Sequence, residues 1–167
     1  DSTGGNFAMG VAPDADLVLS SIPNTSGYTD MDDYARDILT AKSLGAVVSN
    51  NSWGNGYNVT SLKTAIENHG YTWHSAIGQL LDPSLSVSLS RSSVQSYIAA
   101  LDSFQETGVI VFAAGNDSSS IDISAMAGLP EFYPQLAEAW IAVGVIDFTG
   151  SDLESAVESD FTLWGNK

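Results

Sequence analysis

Apolar residues gather in four short, nearly uncharged runs along this chain: Leu17 to Ile22, Ala46 to Ser49, Val109 to Ala114 and Trp140 to Ile146. Runs of that length, rich in β-branched and aromatic residues, predict buried strands. Because each is apolar on both faces, the pattern points to a parallel sheet covered by helices. Between the runs the period changes. Met31, Tyr34, Ala35 and Ile38 recur at helical spacing, and Asp30, Asp32 and Asp33 cluster where a helix N-terminus attracts negative charge. Val94, Tyr97, Ile98 and Leu101 form a second stripe, with Ser92 and Gln95 as a candidate capping box and Gly108 as the stop before the third strand.

The stretch from Gly54 to Ser92 breaks this alternation. A short helical pattern from Thr60 to Asn68 is followed by a Ser/Leu-rich segment from Asp82 to Ser93, so residues 55–92 read as an excursion from the sheet. The order is therefore strand, helix, strand, excursion plus helix, strand, loop, strand. Right-handed crossovers would turn that order into an α/β fold, an open doubly wound, mainly parallel sheet with flanking helices. No repeat and no internal boundary divides residues 1–167, which read as a single domain.

Composition supports one packed core. The 167 residues are 44% hydrophobic and 15% charged, with four Trp, and a chain of this length buries about 70% of its unfolded surface. Twenty acidic residues against five basic ones give a formal charge of −15, which argues against binding nucleic acid or an anionic membrane by counterion release. The absence of cysteine removes disulfides, thiolate zinc sites and a cysteine nucleophile. No stretch is long and apolar enough for a transmembrane helix, so membrane insertion by this chain is not expected.

In a doubly wound sheet, ligands meet the carboxyl ends of the strands. Two such places carry candidate chemistry: Asn50-Asn51-Ser52-Trp53-Gly54 after the second run, and Gly115-Asn116-Asp117-Ser118 after the third. The Asn116 amide, behind two small residues and a Gly, could donate to a developing oxyanion. Equally, Gly-Asn-Asp could simply form a turn.

Several of these segments, in this order, resemble the subtilisin-like serine peptidases, the subtilases. Gly10 to Ala15 looks like the segment that follows the histidine helix of that family. Val48 to Gly54 is similar to its strand ending in Ser-x-Gly, which pairs with substrate backbone. Gly108 to Asp117 matches its Gly-Val-x-Val-x-Ala-Ala-Gly-Asn run, and Tyr133-Pro134 with Ile141 to Asp147 and Ser159 to Thr162 resemble the segments after it. The resemblance implies that Asn116 is the oxyanion donor. It further implies that Ser52, Trp53 and Gly54 line the substrate strand site, that Ala113, Ala114 and Gly115 wall the pocket for the residue before the scissile bond, and that Gly128 sits at that pocket's floor.

The departures concern the Asp, His and Ser that carry subtilase chemistry. Asp1-Ser2-Thr3-Gly4 has one residue too many for the Asp motif, His69-Gly70-Tyr71 lies in the excursion, and no Gly-Thr-Ser-Met-Ala run occurs. The expectation is a central fragment of a serine endopeptidase domain, inactive alone, whose partners are the remaining segments of the parent domain and a polypeptide substrate. A non-catalytic peptide-binding module derived from a subtilase is the alternative. A nucleotide-binding domain fares worst, since no Gly-x-Gly-x-x-Gly or P-loop follows a strand. The resemblance requires no cofactor and allows calcium as a structural ion. Asp1, Asn6, Asp30, Asp32, Asp117 and Asp122 are the hard oxygen donors on offer, but no EF-hand spacing is present and no metal site is assigned. It also implies a secreted or cell-surface, bacterial location.

Overall fold

The computed structural model describes residues 12, 14–20, 31–54, 58–69, 87–115, 122–144, 146–148 and 156–158. Helix α1 spans Met31–Ser43, with Asp32 and Asp33 in its first turn and Lys42 in its last, the charge arrangement that a helix dipole favours. Its Met31 and Ala35 are buried, and Tyr34 and Ile38 pack against the same core. Strand β1, Val48–Asn51, follows. Helix α2, Val59–His69, occupies the first part of the predicted excursion. Helix α3 runs from Val87 to Gln105 and leads into strand β2, Val109–Ala113. Two short 3-10 turns, Leu129–Glu131 and Pro134–Ala139, precede strand β3, Trp140–Val143.

The three strands form a parallel sheet in the order β1-β2-β3. Val48 pairs with Val109 and Asn50 with Val111, while Val111 pairs with Ile141. Ile110 and Phe112 alternate onto one face and are fully buried together with Val94, Tyr97, Leu101 and Phe104 of α3. That alternation is the two-residue period of a strand meeting the apolar stripe of a helix. Lys42 then ties α1 to the end of α3. Its ammonium donates to the Ser103 carbonyl (2.6 Å) and hydroxyl (2.8 Å) and to Glu106 (2.6 Å). On the other face Val48, Ile141 and Val143 are about half exposed.

The architecture is thus α/β, a parallel sheet with flanking helices, but three elements differ from expectation. The run at Leu17 forms no strand over the described residues 14–20, and Leu17 and Leu19 are 79% and 88% exposed. An apolar run becomes a strand only where a ladder partner is available, and this one is held beside α1 instead, the Ser20 hydroxyl donating to Asp37 at 2.5 Å. The fourth run divides at Gly144. Its first half is β3, and its second half, β4 at Ile146–Phe148, pairs antiparallel with β5 at Ala156–Glu158 in a separate two-stranded sheet. Finally, α3 begins at Val87, so Ser92 lies inside the helix rather than capping it, and its carbonyl accepts from the Ser96 hydroxyl at 3.4 Å. Much of the excursion, including Tyr57, Tyr71, Trp73, Leu80 and Leu81, lies outside the described residues.

Candidate functional site

The first predicted site segment leaves the carboxyl end of β1. Asn51 terminates that strand, and its amide nitrogen donates to the Ser49 hydroxyl (3.0 Å), the Ser49 carbonyl (3.2 Å) and, across to β2, the Val111 carbonyl (3.4 Å). Its amide oxygen accepts from the Trp53 indole at 3.3 Å. The Trp53 ring is thereby turned toward the core, stacked on Tyr34 with centroids 5.1 Å apart and edge-on to Phe112 at 5.7 Å. Phe112 stacks in turn on Trp140 at 5.0 Å. Ser52 and Gly54, on either side of this anchored tryptophan, are exposed. An exposed, extended stretch at a strand end is the kind of edge to which a peptide can add as a further strand.

The second segment leaves β2. Ala113 is half-buried and Ala114 is buried. The Ala114 N–H donates to the Val143 carbonyl at 2.9 Å, and its carbonyl accepts from the Ser124 N–H at 2.8 Å, so both of its backbone groups are engaged. Gly115 has φ 116°, a conformation that a side chain would strain. Asn116, the predicted oxyanion donor, lies outside the described residues.

What joins the two segments is the returning chain at 122–128. Ser124 forms an isolated bridge with Asn58, its hydroxyl accepts from the Ala127 N–H at 3.3 Å, and its carbonyl accepts from the Gly128 N–H at 2.9 Å. A Cβ placed on Gly54 would lie 3.8 Å from that hydroxyl. Gly54, Ala114 and Gly128, separated widely along the chain, therefore converge on Ser124. Gly128 itself is buried, and the direction a side chain would take from it is filled. A Cβ there would come within 2.2 Å of Val59 Cγ2 and 3.2 Å of Ile123 Cγ2.

Val59 is fixed by the start of α2. Its N–H donates to the Ile123 carbonyl at 3.1 Å, the Asn58 side chain accepts from the Ser61 N–H at 2.8 Å, and Asp122 accepts from the N–H groups of Thr60 (2.6 Å) and Ile123 (2.8 Å). The bonds from Thr60 to Asp122 and from Ser61 to Asn58 are side-chain caps on the otherwise unpaired first turn of the helix. Asp122 thus serves as a cap. Among the described residues no group of three His, Asp or Glu side chains could hold a metal ion.

The groups near the site whose pKa is displaced are phenols. Burial raises the pKa of Tyr97 well above the ordinary 10.0, with the neighbouring Tyr34 adding to the effect, and burial does the same for Tyr133. Tyr34 is raised by burial and by the charge of Asp37. All three therefore stay neutral at neutral pH and act by packing. Of the other residues weighed from sequence, Asp1, His74, Asp117 and the side chain of His69 lie outside the described residues. In the sequence Asn51 stands out only as part of the Asn50 to Gly54 segment, without a role of its own, and Val59 and Ser124 are not singled out, because nothing local to them marks them.

No helix among the described residues is long and apolar enough to cross a membrane. Neither the curated proteins nor the solved structures contain a match to this chain. The model of the subtilase family, peptidase family S8, matches residues 1–162, which agrees with the parallel sheet and with the motif order around its strand ends. This chain belongs to the subtilase family.

Proposed function

We propose that this chain is the central part of a serine endopeptidase domain that hydrolyses peptide bonds in proteins. In this reading Asn116 donates its amide to the oxyanion, Ser52, Trp53 and Gly54 receive the substrate strand, and Ala113 to Gly115 wall the pocket for the residue before the scissile bond. The convergence of Gly54, Ala114 and Gly128 on Ser124 carries the reading, because it draws three separately recognised pieces of the motif set to one place. The anchoring of Trp53 between Tyr34 and Phe112 supports it further, since it leaves Ser52 and Gly54 at the surface.

Hydrolysis needs a nucleophile and a base within hydrogen-bond reach of the proton it takes. Neither His69 nor His74 stands in a His-Gly-Thr context, and no Gly-Thr-Ser-Met-Ala run is present. These 167 residues by themselves therefore bind peptide without cleaving it, and the triad is supplied by other segments of the parent protein. The location is secreted or at the cell surface.

Asn116→Ala in the full-length protein tests the assignment. Loss of one oxyanion donor lowers kcat by about 10²- to 10³-fold with little change in KM. Unaltered kcat would refute the role of Asn116, and failure of the wild-type protein to react with a fluorophosphonate probe would refute the peptidase reading.

A further inference from the structure

Gly128 is the residue that the resemblance puts at the floor of the pocket, and the space beside it is taken by a side chain from an unexpected source. Val59 opens α2, the helix that begins the excursion after Gly54. Its Cγ2 lies where a side chain on Gly128 would have to go, 2.2 Å from the ideal Cβ position, and Ile123 closes the same space at 3.2 Å. Val59 is 7% exposed, and Gly128 is buried.

The valine is also held firmly. Its backbone is bonded to Ile123, the preceding Asn58 is bridged to Ser124, and Asp122 caps the helix through Thr60. Those contacts are made to the segment that carries Gly128, so the start of α2 is tied directly to the floor. Val59 belongs to the buried core cluster, with Ile123 packed against that cluster, and close packing of this kind leaves the methyl no easy retreat.

We propose that Val59 is the specificity-determining residue of this peptidase: its isopropyl group fills the base of the pocket and restricts it to small side chains, Gly and Ala, before the scissile bond. This rests on the reading of residues 113–115 and 128 as pocket walls. Small wall residues without Val59 would admit a bulky side chain. With it, the depth that the missing side chain of Gly128 would provide is already occupied. The excursion thereby contributes to substrate selection through its first helical residue.

The test is a peptide series differing only in the residue before the scissile bond, Gly, Ala, Leu or Phe, assayed with the full-length protein and its Val59→Ala variant alongside Asn116→Ala. Wild type is expected to favour Ala over Phe in kcat/KM. Val59→Ala should shift that ratio toward Phe by about tenfold or more, the discrimination that one or two methyl groups in an apolar pocket provide. Because the ratio is taken on one sample, a lowered folded fraction cancels from it. Wild-type preference for Phe or Leu overturns the proposal without recourse to any variant, and an unchanged ratio in a Val59→Ala variant that still hydrolyses peptide overturns the assignment to Val59. Either result, with Asn116→Ala impaired, leaves the peptidase reading standing. If wild type cleaves none of the peptides and takes no fluorophosphonate label, the peptidase reading fails and the proposal with it.

Discussion

Replacing Gly128 by Ala is the most direct probe of packing at the site. The added methyl would lie 2.2 Å from Val59 Cγ2, 3.2 Å from Ile123 Cγ2 and 3.4 Å from the Ser124 carbonyl oxygen. At 2.2 Å the two carbons cannot coexist, and relieving the clash means either turning a buried valine against its packed neighbours or shifting a backbone that is bonded to Ile123. Overpacking of this kind costs about 1–3 kcal/mol, and the backbone anchoring of Val59 places the expected cost at the upper end. Val59→Ala alone removes two methyl groups from a buried position, about 2 kcal/mol at roughly 0.8 kcal/mol per buried carbon with a cavity contribution. In the double variant the new methyl on residue 128 occupies space the valine has vacated. The double variant should therefore be more stable than the sum of the single costs implies, by about 1–2 kcal/mol of coupling. Equilibrium unfolding in urea, followed by tryptophan emission, measures all four corners of the cycle. The midpoints should move with the slope unchanged. A Gly128→Ala variant as stable as wild type, or strictly additive single costs, would show that Val59 does not occupy the space beside Gly128.

Two further predictions concern the core beneath the site. The Tyr97 hydroxyl is buried with no hydrogen-bond partner among the described residues, so Tyr97→Phe is expected to be neutral or stabilising by up to about 1 kcal/mol in the same urea assay; a loss of more than that would reveal a partner. Tyr97 and Tyr133 both have folded-state pKa values raised above 10.0 by burial, whereas in the unfolded chain they ionise near that value. Their contribution to stability is thus intact below pH 10 and is lost as pH rises beyond it, at about 1.4 kcal/mol per pH unit for each phenol. Urea midpoints between pH 9 and 11 should fall accordingly, and Tyr97→Phe should make the slope shallower; an equal slope in the variant would contradict it. Asn51→Leu removes the acceptor of the Trp53 indole and the link to Val111. A destabilisation of about 1–2 kcal/mol with red-shifted tryptophan emission is expected, and unchanged emission would mean that Trp53 is held by stacking alone.

The parts of this fold legible in the sequence are those whose partners lie close by or whose pattern is strong. β2 matches its run because Ile110 and Phe112 alternate onto a fully buried face, and α1 matches because its stripe and its acidic first turn agree. That Leu17 to Ser20 would form no strand was not legible, since an apolar run says nothing of whether an edge is free to receive it, and among the described residues its side-chain bond runs from Ser20 to Asp37. The start of α3 was misplaced for a related reason: Ser92 and Gln95 fit a capping pattern, yet a helix can continue through serines whose hydroxyls bond back to a carbonyl one turn earlier, as Ser96 does. At the candidate site, the motifs marked the strand ends but not what joins them. Ser124 acts through backbone groups and a single hydroxyl, and Val59 acts by filling space, and neither leaves a local signature.

Strand order in the sheet equals strand order in the chain, β1-β2-β3, and that matters while the polypeptide is being made. As it emerges from the ribosome at about 5–20 residues per second, each new strand can dock on the last one to have formed, with α1 and α3 already synthesised and able to lie together beneath it. Over these three described strands the sheet grows in one direction, and its growing margin is the newest strand. At β3 that margin carries Ile141 and Val143, each about half exposed. Unpaired apolar edges recruit like edges from other molecules. Among the described strands, Trp140–Val143 is therefore where neighbouring nascent chains on one messenger would meet once β3 has emerged, and a charged residue at Ile141 would be the simplest way to keep them apart.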